Sequence, residues 1–163
     1  MKKIDLHAHY ISPGFSKFLD DYFEGKGDGV ATPKFSPEEY LNLMERMDIE
    51  YGVLSISSPH ISAAPDNEMI ALVKEVNTYA FQFTRQFPKQ LGFFATLPLP
   101  LINESLKTID IALDQQGALG FTLPTNARGI YIGDARLDKI LSKLNERHAL
   151  VALHPNEPKP NID

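Results

Sequence analysis

Cysteine is missing from all 163 residues, so the chain has no disulfide framework and no thiolate ligand for a metal. Any transition-metal site must be built from histidine and carboxylate. No apolar run reaches the ~18 residues that a membrane span needs. Lysine and arginine form no block. Sixteen basic and twenty-one acidic residues leave a formal charge of −5, which argues against a nucleic-acid surface. Met-Lys-Lys leads straight into a strand-like segment instead of the apolar core of a signal peptide. Together with the missing cysteine, this sets the expectation of a cytoplasmic protein. No G-x-G-x-x-G or Walker sequence follows any predicted strand, which weakens a nucleotide-binding reading. What remains is a 43% hydrophobic chain, long enough for one domain with a sizeable core. Its expected partner is a small-molecule substrate, not a nucleic acid or a membrane.

Five short segments are apolar, β-branched or aromatic, and end at Pro, Ser, Thr or Asn. The first lies within K-I-D-L-H-A-H-Y, Lys3 to Tyr10. The others are YGVLSIS from Tyr51, QLGFFATL from Gln90, ALGFTL from Ala118 and ALVALH from Ala149. Near-continuous apolarity predicts strands covered on both faces, as in a parallel sheet. Four helices are predicted between them. Ser36-Pro37-Glu38-Glu39 is a capping sequence that opens the first, with Tyr40, Leu43, Met44 and Met47 on one face. The second runs from Asp66 to Phe87, stopped by Pro88, the third from Asn103 to Gln116, stopped by Gly117, and the fourth from Asp134 to Arg147. Strands alternating with helices predict βαβ crossovers, either in an open doubly wound sheet or in part of a (β/α)8 barrel. The segment after the first strand, which carries Tyr10, Phe15 and Phe18, reads as a long loop and a candidate aromatic wall for a ring substrate.

Residues two apart on a strand share a face. That predicts Asp5, His7 and His9 on one side, and Ile4, Leu6 and Ala8 packed under helices on the other. Two imidazoles at this spacing can each offer a nitrogen to one cation. His154 ends the last predicted strand, so three of the five histidines fall at the C-terminal edge, where parallel α/β folds place their sites. Three protein ligands and an open position form a typical catalytic zinc site. His60, in the loop after the second strand, is a candidate substrate contact. His148 lies at the opposite edge.

D-L-H-A-H, the stretch G-A-L-G-F-T-L-P-T-N-A-R-G-I-Y-I-G-D and V-A-L-H-P together resemble the amidohydrolase superfamily. The closest branch is the amidohydrolase-2 group, which includes aminocarboxymuconate-semialdehyde decarboxylase and related aromatic-acid decarboxylases. The resemblance covers essentially the whole chain. It implies the N-terminal part of a metal-dependent (β/α)8 TIM barrel, one domain over residues 1–163, with about five strands and four helices. The implied metal is a divalent ion, usually Zn2+, held by His7, His9 and His154, with Asp5 in a supporting role. In such enzymes a water made acidic by the cation attacks a carbonyl or an unsaturated ring, and in the decarboxylases carbon dioxide leaves. The implied pocket includes Pro59, His60, Leu97, Pro98, Thr125 and Asn126, with substrate contacts assigned to His60 and Asn126.

The family also uses a histidine from the sixth strand and an aspartate from the eighth. This sequence stops at Asp163, after its fifth strand, whereas a full barrel takes ~250 residues. For the family's substrate-binding arginine, the first predicted helix offers Arg46, which reads equally as a surface charge. The resulting expectations are a shortened amidohydrolase or decarboxylase that is inactive alone, and open strand edges that drive homo-oligomerisation. Two alternatives are a D-x-H-x-H phosphoesterase and an inert half-barrel acting as a binding or assembly module.

Overall fold

The computed structural model describes residues 2–158. In chain order its elements are β1 (Lys3–His9), α1 (Pro13–Phe23), a small hairpin of β2 (Lys26–Gly27) and β3 (Val30–Ala31), α2 (Pro37–Met47) and β4 (Ile49–Ser55). Then follow α3 (Asp66–Thr84), β5 (Leu91–Ala95), α4 (Ile102–Asp114), β6 (Gly120–Pro124), a second hairpin of β7 (Asn126–Ala127) and β8 (Ile130–Tyr131), α5 (Asp138–Glu146) and β9 (Leu150–His154). The long strands form one parallel sheet in the order β1-β4-β5-β6-β9, each paired with the next in sequence. Helices α2 to α5 are the four crossovers that the sequence predicts. Among the described residues no helix is long and apolar enough to cross a membrane.

The helix-side core takes every second residue of the strands: Ala8, Leu54, Phe93, Ala95, Phe121 and Leu123 join Met44, Met69, Val76 and Ile140 from the helices. The other face holds Tyr51, Val53 and Ser55 of β4 and their strand neighbours. It lines the inside of the curl, and His9 pairs there with Ser55.

The segment after β1 departs from expectation. It is a helix, α1, opened by Ser12, whose Oγ accepts from Phe15 N at 3.1 Å, with Pro13 at the first position. Glu75 of α3 completes the cap: its carboxylate accepts from Ser12 Oγ at 2.6 Å and from Gly14 N at 3.2 Å, placing negative charge at the positive end of α1. Tyr10, Phe15 and Phe18 are buried core residues, not an aromatic wall. Phe15 and Phe18 stack at 5.8 Å, and Tyr10 donates its hydroxyl to Val76 O at 2.9 Å.

The predicted sidedness of β1 is also corrected. Asp5 pairs with Gly52 and Ala8 with Leu54, three residues against two, so the strand is irregular between Asp5 and Ala8. Such an extra residue flips the side chains beyond it to the other face. Asp5 therefore lies on the helix side, where it accepts from the Tyr40 hydroxyl of α2 at 3.3 Å and from His7 N at 3.0 Å. Gly52 permits this: a Cβ there would collide with the Tyr40 hydroxyl. Burial and the Asp5 charge push the Tyr40 hydroxyl pKa up. Ile4 and Leu6, expected under helices, are 65% and 64% exposed.

Candidate metal centre and mouth cavity

Curling the sheet brings its first and last strands together at their C-terminal ends. His7 and His9 close β1, and His154 closes β9. His7 Nε2 lies 3.0 Å from His9 Nε2, and His154 Nε2 lies 3.4 Å from His9 Nε2. One nitrogen from each ring falls within 4.8 Å of the other two. His154 Nδ1 meets the Pro155 carbonyl at 2.8 Å. A proton on Nδ1 satisfies that carbonyl and leaves the Nε2 lone pair free, the usual support for a ligating imidazole. His9 Nδ1 faces Ser55 Oγ at the longer distance of 3.5 Å. Burial, followed by the His7 and His154 rings, lowers the His9 pKa to about 4, so that ring is neutral, as a ligand must be. The donor set fits one divalent cation: three converging imidazole nitrogens. No carboxylate among the described residues joins them.

A cavity of ≈1130 Å³ opens at Pro155, the residue after His154, and is lined in part by Lys26, Pro59, His60, Asn126, Arg128 and Asn156, though by none of the three histidines of the triad. His60 and Asn126 therefore both reach the mouth. Neither is a solvated loop residue, because both are buried. Asn126 Nδ2 donates to the Glu157 carbonyl at 3.1 Å, and Asn156 bridges back to the Asn126 carbonyl and to His60 N. Arg128 holds the His60 loop in place. Its guanidinium donates to Ser62 O at 2.8 Å, Ala64 O at 2.7 Å and Asp66 Oδ1 at 2.6 Å. The P-T-N-A-R-G segment carries part of the family resemblance, and its arginine is a site residue that the motif alone does not assign. The signal was the Arg-Gly pair in a hairpin turn, where Arg128 and Gly129 both take positive φ. A second cavity reaches His9 from the α2 side and is lined by Lys34, Phe35, Tyr40 and Arg46 among others. His148 is exposed at the opposite edge.

His60 Nδ1 accepts from Ser62 N at 3.2 Å. Burial lowers its pKa to about 4, partly opposed by the Leu97 carbonyl. The unfolded imidazole takes up a proton near pH 6.5, which the buried ring refuses until about pH 4. His60 thus contributes full stability above about pH 6.5 and loses it as pH falls towards 4, by about 3 kcal/mol in all. In the ion-free chain His9 acts in the same window. Urea midpoints between pH 4 and 7 should fall with pH, and less steeply in His60→Gln. An equal slope in the variant would contradict this.

The family model described as Amidohydrolase matches residues 4–162. The chain belongs to the amidohydrolase family. The chain is 34% identical over 161 residues to the decarboxylase macB of Penicillium terrestre, covering 95% of this chain and 47% of that protein. It is 32% identical over 162 residues to 6-methylsalicylic acid decarboxylase of Penicillium expansum, covering 97% and 50% respectively. A crystal structure of an amidohydrolase II superposes with a TM-score of 0.93 at 43% identity, covering 99% of this chain and 54% of that one. The 5-carboxyvanillate decarboxylase of Novosphingobium aromaticivorans, solved with bound manganese, shares the fold at a TM-score of 0.84 and 17% identity, covering 99% and 53%. The chain thus spans about half the length of these relatives. Its five-stranded curled sheet is the N-terminal half of their TIM barrel.

Proposed function

We propose that this chain forms the metal-holding wall and part of the substrate mouth of a metal-dependent carboxy-lyase acting on a small carboxylated ring. The convergence of His7, His9 and His154 carries the reading. The decarboxylase relatives support the reaction class, and the manganese of the distant decarboxylase supports a divalent ion. Imidazoles accept both manganese and zinc, so Zn2+ and Mn2+ are both candidates here. A cation in this position would supply Lewis-acid polarisation of a substrate oxygen. Lys34 and Arg46, beside His9, would draw the substrate carboxylate by charge, while His60 and Asn126 shape the mouth wall.

The chain as it stands is expected to bind one ion without turnover, because among the described residues no carboxylate base stands beside the three nitrogens. Calorimetric titration with Mn2+ and Zn2+ should give one site per chain. Carbon dioxide release from hydroxybenzoates should appear only when the rest of the barrel is supplied on a longer chain. Lack of ion binding would refute the site, and phosphate release from a generic phosphodiester would favour the phosphoesterase alternative.

Self-association is part of the same proposal. Ile4 and Leu6 of β1 and Leu150, Val151 and Leu153 of β9 are exposed at the two open edges. Unpaired apolar edges recruit other chains. Gel filtration at rising concentration should show growing oligomers, whereas a concentration-independent monomer would rule this out.

A further inference from the structure

Adjoining the mouth cavity is a second void of ≈10 Å³ that shares His60, Pro155 and Asn156 with it. Thr96, Thr122 and His154 also line this void. Strand register explains the meeting. Thr122 pairs with Ala152 and Pro124 with His154, so Thr122 shares the inner face with His154. Ala95 pairs with Phe121, which places Thr96 level with Thr122 on that face. His60 Nε2, Thr96 Oγ1 and Thr122 Oγ1 are each buried with no hydrogen-bond partner among the described residues. The three residues are 7%, 3% and 7% exposed.

Dry cavities are lined by apolar groups, whereas a buried water makes ~3 hydrogen bonds and occupies ~10–15 Å³ on this measure. Here three orphaned polar atoms belong to residues around one void of that size. The donor is defined: Nδ1 of His60 accepts from Ser62 N, so the ring proton sits on Nε2. The Leu97 carbonyl is near enough to act on the ring, but Nε2 has no partner in hydrogen-bond geometry.

We propose that this void is a specific site for one buried water, held by His60, Thr96 and Thr122 beside His154. The water accepts from His60 Nε2–H and donates its two protons to the threonine hydroxyl oxygens. It ties the His60 loop to β6 and to the end of β5, so the mouth wall and the histidine triad share a fixed floor.

The sign of a stability change tests this. Thr122→Val is near in shape and removes one partner. With a water present, Tm should fall by about 2–4 °C, the shift typical of losing one such bond in a domain this size. If the void is dry, the valine removes an orphaned hydroxyl, and Tm should hold or rise, which overturns the site. Thr96→Val should behave in the same way. Should either variant fail to fold, a high-resolution crystal structure of the unsubstituted chain decides. Density within hydrogen-bond distance of all three atoms supports the water, and an empty void, or side chains paired with each other, refutes it.

Discussion

His154→Ala should abolish divalent-ion binding while leaving the chain folded. His154 ends the last strand and is half-buried, so its removal opens no cavity in the helix-side core. It supplies the one nitrogen of the triad that comes from across the sheet. Without it His7 and His9 remain as two nitrogens on one strand end, which leaves the ion mostly in water. The loss should exceed the ~10–100-fold that removing an outer hydrogen-bond partner of a ligand costs. Ser55→Ala, which removes only the long contact to His9 Nδ1, calibrates that lower scale. Mn2+ titration followed by calorimetry reads both, with circular dichroism confirming the fold. Undiminished affinity in His154→Ala would mean that the ion does not use this triad.

Phe15→Ala should destabilise the fold strongly. The ring is 0% exposed and stacks on Phe18, beneath a helix whose N-terminus is tied to Glu75. Phenylalanine-to-alanine changes in cores cost about 3–5 kcal/mol, which for a domain of this size lowers Tm by roughly 6–20 °C. If α1 were a substrate-facing loop, the same change would alter ligand binding and leave Tm alone. Should Phe15→Ala not fold, Phe15→Leu gives the graded version: a smaller drop in the same direction.

The contrast between these two residues shows what the sequence disclosed. His7, His9 and His154 were legible because strand ends are marked by apolar runs that stop abruptly, and because the edge they stop at follows from parallel topology. The five long strands and four crossover helices were legible for the same reason. Helix α1 was not, although Ser12-Pro13 opens it as Ser36-Pro37 opens α2. Both helices have eleven residues, but α1 has Gly14 in its first turn where α2 has Glu38 and Glu39, which weakens the helical signal. The irregularity in β1 was invisible because an extra residue leaves no compositional mark. Only the pairing of Asp5 with Gly52 and of Ala8 with Leu54 reveals it. His60 and Asn126 were placed at the right edge, but their burial was not foreseen. It depends on Arg128 and Asn156, which reach them from distant segments.

The strand order has a mechanical consequence. The three nitrogens come from the outermost strands, with β4, β5 and β6 between them. An ion that grips all three would therefore act as a clasp across the mouth of an open trough. How far that trough gapes and how tightly the clasp holds are then one linked equilibrium. A partner that flattens the trough would weaken the grip, and a partner that bends it further would tighten it.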